Sequence, residues 1–183
     1  MLEVPESILV ERRMTGADRR DEMWDGELHM VPPASDRHQD VSGQLFLTLA
    51  PLAKDHGLLA RIESGLFRPG VDNDYRVPDQ MYARPEVRSE RGIEGPASLV
   101  VEILSPHDET YAKLGFFGSI GVAEVLVIDP KSMTVELFTN RDGAMVPVAP
   151  AADGVHTISS LGVTVHTVDG RLRIAWDGGS ADI

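Results

Sequence analysis

The sequence predicts an α/β fold of the α+β kind, a mixed central β-sheet flanked by helices with added β-hairpins. Three observations carry this. An apolar run over residues 97–104 is followed by a helix-start signal and then by a second apolar run over 123–128, a strand, helix, strand unit. Apolar residues at 41, 45, 49 and 52 recur at helical spacing. Asp-Gly pairs at 25–26 and 142–143 lie between short apolar stretches, the signature of tight hairpin turns.

In chain order, a polar, helical start leads into the first hairpin, Met23-Trp24-Asp25-Gly26-Glu27-Leu28, with Glu27 opening its second strand. Ser35 is a helix N-cap for the Val41, Leu45, Leu49, Leu52 stripe, Gly57 stops that helix, and Pro51 is expected to disturb its last turns. Strands are predicted over 58–67, 75–83 and 97–104; the unbroken apolar character of the last marks a strand covered on both faces. Ser105-Pro106-His107-Asp108 then starts a helix running to about Ile120, in which Gly115 and Gly118 each cost about 1 kcal/mol relative to Ala. The 123–128 strand ends at Asp129-Pro130, and 134–138 pairs with 145–148 as a second hairpin. No repeat or low-complexity linker interrupts the chain. A single domain over 1–183 is expected, with a core at about 20–140 and a β-rich extension over about 141–183.

The 183 residues carry 17 Lys and Arg against 29 Asp and Glu, a formal charge of −12, which excludes a generic basic nucleic-acid binder. Half of that charge lies in residues 71–130, with 5 basic and 11 acidic side chains. With 42% hydrophobic and 25% charged residues the composition is that of an ordinary globular protein. Zero cysteines exclude disulfides, thiolate metal sites and Cys nucleophiles. Glu3 and Glu6 stand where a signal peptide needs positive charge, and no apolar run is long enough for a membrane helix, so a cytoplasmic protein without membrane attachment is expected. No phosphate-binding loop, dinucleotide-binding turn or serine-hydrolase elbow is present, and the histidines lack zinc spacing.

Two carboxylates break the pattern. Glu102 sits in the middle of the most apolar strand, where an unpaired charge costs several kcal/mol; it must be protonated, ion-paired or metal-bound. Asp79 follows Pro78 inside another predicted strand, where it either shapes a turn or joins a site. Two such carboxylates brought together at strand ends repel unless a cation lies between them, and oxygen-only donors suit Mg²⁺ or Mn²⁺.

The series Trp24-Asp25-Gly26-Glu27-Leu28, Pro32-Pro33-Ala34-Ser35 with His38, Pro78-Asp79, Val100-Val101-Glu102-Ile103-Leu104-Ser105-Pro106, Lys113, and Gly121-Val122-Ala123-Glu124 with Asp129-Pro130 resembles the Uma-two family. Its members are described as candidate restriction endonucleases of the PD-(D/E)XK nuclease superfamily. The resemblance runs in order from about 20 to 140. It implies a restriction-endonuclease-like core in which Asp79 and Glu102 are metal ligands, Glu27 is a further acidic ligand, and Lys113 is the catalytic cation. It also implies Mg²⁺ or Mn²⁺ as cofactor, DNA as substrate, and a homodimer, for which the 134–148 hairpin offers apolar surface. Two positions depart from the pattern: Leu104 occupies the usual lysine position two residues after the Glu, and Phe117 replaces an aromatic hydroxyl.

Lys113 reaches the site from the following helix or else pairs with Glu109 four residues earlier. His38 and Glu109 are accessory candidates. DNA contacts are expected from the neutral 31–70 segment through Arg37, Lys54, Arg61 and Arg68. The expected activity is Mg²⁺-dependent hydrolysis of DNA phosphodiester bonds. The alternatives are a catalytically degenerate nuclease fold used for binding or regulation, and hydrolysis of a small phosphate-containing substrate.

Overall fold

The computed structural model describes residues 5–106 and 109–183. A helix α1 (Glu6–Thr15) and a short 3-10 turn precede the first hairpin, β1 (Glu22–Trp24) and β2 (Glu27–His29). Its turn residues Asp25 and Gly26 both have positive φ, 48° and 89°, the conformation that a two-residue hairpin needs. Helix α2 (Asp36–Asp55) starts where Ser35 accepts the His38 backbone N–H at 3.2 Å, a cap worth about 1 kcal/mol. Val41, Leu45, Leu49 and Ala53 form its fully buried stripe.

Contrary to expectation, α2 runs through Pro51. Proline removes the hydrogen bond to the Leu47 carbonyl, but Pro51 is exposed and Leu47 lies on the solvent side, so water can serve that carbonyl while the buried stripe holds the helix.

The predicted 58–67 strand is broken into β3 (Leu59–Ile62) and β4 (Leu66–Phe67) by Glu63, whose φ is 43°. The predicted 75–83 strand is likewise two, β5 (Tyr75–Arg76) and β6 (Gln80–Ala83), separated at Val77-Pro78-Asp79. Each break moves the chain from one sheet to another. Strand β7 (Ile93–Glu94) precedes β8 (Leu99–Ile103), all five residues of which are buried. Helix α3 (Thr110–Ser119) begins at Thr110 and not at Pro106; His107 and Asp108, part of the expected start, lie outside the described residues. Gly118 is there for packing, since a Cβ would stand 2.6 Å from the Gly143 carbonyl oxygen.

Strands β9 (Glu124–Ile128), β10 (Val135–Arg141) and β11 (Ala144–Val148) follow, the last two joined by Asp142-Gly143 with φ of 52° and 87°. The remainder is a meander of β12 (His156–Ile158), β13 (Val163–Val168), β14 (Arg171–Trp176) and β15 (Gly179–Asp182).

The central sheet has the order β11-β10-β9-β8-β6-β3, with β8 and β9 parallel across α3 and the other pairs antiparallel. It is the mixed sheet that the sequence predicts. A second sheet, β2-β1-β5-β4-β7, and the C-terminal sheet, β12-β13-β14-β15, lie beside it. One apolar cluster joins the α2 stripe, Leu99, Val101 and Ile103 of β8, and Val163, Val165, Leu172 and Ile174 of the C-terminal sheet. A second joins Val100, Met81 and Val125 to Phe116 and Phe117 of α3. Leu137 and Phe138 of the β10–β11 hairpin are buried inside these two clusters, while Val135, Met145, Val146 and Val148 stay half-buried.

Candidate active site

The alternation along β8 decides where Glu102 points. Val101 and Ile103 join the α2 cluster, whereas Val100 joins the α3 cluster, so Glu102 shares the α3 face. The β6–β8 register pairs Gln80 with Val101; continued one step, it sets Asp79 across from Glu102. The two carboxylates that the sequence singles out are therefore cross-strand neighbours where β6 begins and β8 ends, inside the sheet. They open into a cavity of about 500 Å³.

Glu102 is 3% exposed. Burial, opposed by Lys113 and reinforced by the neighbouring charges of Asp79 and Glu22, pushes its pKa up to about 8. Lys113, in the first turn of α3, reaches back to place Nζ 3.3 Å from Glu102 Oε1 and 2.9 Å from Glu22 Oε1. Burial works against its charge, but Glu102 and Glu22 outweigh that and raise its pKa, so the ammonium persists at neutral pH. The alternative pairing with Glu109 is not formed: Glu109 accepts from His29 Nδ1 at 2.8 Å instead. Leu104, in the usual lysine position, packs partly against the α3 cluster.

Asp79 Oδ2 accepts the Ile103 backbone N–H at 2.7 Å and faces His38 Nε2 at 3.2 Å. His38 is 4% exposed, and its Nδ1 has no partner among the described residues. Burial disfavours its protonated form, but the hydrogen bond and charge of Asp79 prevail and raise its pKa. His38 thus belongs to the site through Asp79.

Glu27 does not. It is exposed at the turn end of the first hairpin, paired in register with Trp24, and does not line the cavity. Glu22, five residues earlier, is the acidic residue that the hairpin delivers. It is 1% exposed, and besides Lys113 it accepts the Val77 backbone N–H at 2.9 Å and Trp24 Nε1 at 2.7 Å. The signal that could have found it is the two-residue spacing of Glu22 and Trp24, which puts both on one face of β1. Trp24 in turn stacks on His29, with ring centroids 4.0 Å apart. Arg20, which also lines the cavity, was missed as well; it pairs with Glu63 at 3.2 Å.

None of the four cations expected to touch DNA lines the cavity. Arg37 donates to the Pro130 carbonyl near the start of α2, and Lys54 is exposed at the far end of that helix, about 25 Å away at 1.5 Å per residue. Arg61 turns onto the Ala60 carbonyl, and Arg68 is held by Asp74 at 2.6 Å and by Ser119.

Among the described residues no cluster of three or more His, Asp and Glu side chains converges as a metal cage. The donor set is two facing carboxylates, Asp79 and Glu102, beside a water-accessible cavity. That suits Mg²⁺ or Mn²⁺, which keep several waters and take one or two carboxylates, better than a metal needing a full protein shell.

The family model described as "Uma2: Putative restriction endonuclease" matches residues 9–167, extending beyond the 20–140 span of the sequence resemblance at both ends. No curated protein matches the chain. Among solved structures, a protein from Anabaena variabilis described as a putative nuclease belonging to DUF820 is similar at 22% identity and a TM-score of 0.56, over 77% of this chain and 88% of that one. The fold is therefore that of a nuclease-like α+β protein, and the chain belongs to the Uma2 family.

Proposed function

We propose that this protein is a metal-dependent endonuclease that hydrolyses DNA phosphodiester bonds. The supporting observation is the cross-strand pair of Asp79 and Glu102, with the Lys113 ammonium on Glu102, at the floor of the 500 Å³ cavity. Asp79 and Glu102 would hold a divalent cation, with Glu22 fixing Lys113 beside them. A cation bound there would stabilise the charge that develops on the phosphate and increase the acidity of a bound water.

The chain's own groups supply the rest. Lys113, held by Glu22 and Glu102, would orient the attacking water or hold a phosphate oxygen. His38 and the Ile103 N–H fix the Asp79 carboxylate. Arg20 is the one arginine lining the cavity among the described residues and offers its remaining N–H groups to the incoming phosphate.

Incubation of plasmid and linear DNA with Mg²⁺ or Mn²⁺ should give cleavage that is lost in Asp79→Ala and Glu102→Ala. Cleavage that persists in both variants contradicts the assignment. A second reading, a nuclease fold kept for binding or regulation, draws on the lack of a three-residue cage among the described residues and on Leu104. Binding of DNA without any calorimetric uptake of Mg²⁺ or Mn²⁺ would select it.

A further inference from the structure

The shape of the cavity bears on which form of DNA can reach its floor, an inference that rests on the nuclease reading above. We infer that the site takes a single-stranded or unpaired segment, one or two nucleotides at a time, and not an intact B-form duplex.

The groups at the floor are buried: Glu102 is 3% and Glu22 1% exposed, and the Lys113 side chain is 12% exposed. A phosphate must enter the cavity to touch them. At about 500 Å³ the cavity lies within the range of about 300–1,000 Å³ that accommodates a small organic ligand. In a duplex each phosphate rides on a stiff, convex surface, so the rim of the cavity limits how far it can enter. A single strand can project one phosphodiester inward.

The walls agree with this. The segment Met30, Val31, Pro32, Pro33 and Ala34, together with Pro106, contributes apolar lining to a cavity that also holds the charged groups. An apolar wall suits a sugar edge or a base face released from its stack, which a paired base does not offer. Electrostatics point the same way. Duplex affinity grows with the number of phosphates neutralised, yet the chain carries −12, and Arg37, Lys54, Arg61 and Arg68 are dispersed or engaged elsewhere. Within the cavity, Lys113 is shared by two carboxylates and Arg20 is paired with Glu63. Binding of one phosphodiester beside a divalent cation is compatible with such a field; alignment of a long duplex is not.

The test measures both binding and cleavage of three fluorescent DNAs of one sequence: a single strand, a blunt duplex and a duplex with a long single-stranded overhang, each with Mn²⁺. Binding is read by anisotropy on the wild type and on Asp79→Asn. Because the rim limits how far an intact duplex can enter, the single strand and the overhang should be bound or cut at least about tenfold better than the blunt duplex. Met30 is 42% exposed, so Met30→Glu should leave the thermal midpoint unchanged while its charge on the wall weakens single-strand binding about tenfold. Single-strand preference in binding without cleavage would sustain this inference and remove the nuclease reading. Cleavage of the blunt duplex as fast as the single strand would do the reverse, and no detectable binding of any of the three would overturn the inference.

Discussion

Two buried carboxylate clusters lie five residues apart on the segment that links the second sheet to the central one, and they are built on opposite principles. Asp74 is 2% exposed and has two guanidinium partners, Arg68 at 2.6 Å and Arg76 at 2.9 Å. Arg76 is in turn held between the Trp24 and Phe116 rings, 4.3 and 4.2 Å from their centroids. Burial alone would raise the Asp74 pKa, but its two arginines more than compensate and lower it. Around Asp79 the ratio is inverted: Asp79, Glu102 and Glu22 share one lysine and a histidine, and Glu102 is pushed the other way. A cluster whose charges are matched fastens the hairpin to the fold. A cluster with more carboxyl groups than basic partners, beside a cavity, is where the proposed reading would put a divalent cation.

The contrast can be broken at either end. The largest effect is expected on catalysis: Asp79→Ala or Glu102→Ala should lower the DNA cleavage rate by about a thousandfold, roughly 4 kcal/mol of transition-state stabilisation, in protein that a thermal melt shows to be folded at the assay temperature. Steady-state cleavage and a thermal melt on the same preparations decide it.

Asp74→Ala should do the converse. It strands the buried Arg76 guanidinium and should cost about 3–5 kcal/mol of stability in chemical denaturation, with activity per folded molecule retained.

Smaller, but more discriminating for the hairpin, is the comparison of Glu22→Gln with Glu27→Gln. The first loosens the hold on Lys113 and should reduce kcat about tenfold; the second alters an exposed turn residue and should change it less than about twofold.

The smallest effect is on acid stability. The lowered Asp74 pKa means that the unfolded chain binds its proton more readily than the folded one. This contribution is complete above the unfolded value of about 4 and is lost as pH falls through the lower folded value. Denaturation midpoints below pH 4 should therefore drop more steeply for the wild type than for Asp74→Asn.

Much of this was legible from residue patterns. Ser35 and the stripe from Val41 declare α2, and two Asp-Gly turns declare their hairpins. A carboxylate inside the apolar β8 run marked the site before any geometry was known. The breaks at 63–65 and 77–79 were read through although Gly65 and Pro78 mark them, because a single glycine or proline does not reveal that the chain transfers between sheets there. Glu22 escaped for a related reason. A short strand does not announce which of its faces is buried, and the more prominent Glu27 follows the Asp-Gly turn, where the side chain meets solvent. Pro51 misled because proline cost is local, whereas the α2 stripe packs on both the central and the C-terminal sheets.

The surplus carboxylates at Asp79 and Glu102 can be tested without any substrate. Isothermal titration of Mn²⁺ into the wild type, Asp79→Ala, Glu102→Ala and Asp74→Asn should show saturable uptake in the wild type and in Asp74→Asn, and none in the two site variants. Equal uptake in all four, or none in the wild type, would contradict the assignment of the Asp79–Glu102 pair as a cation site.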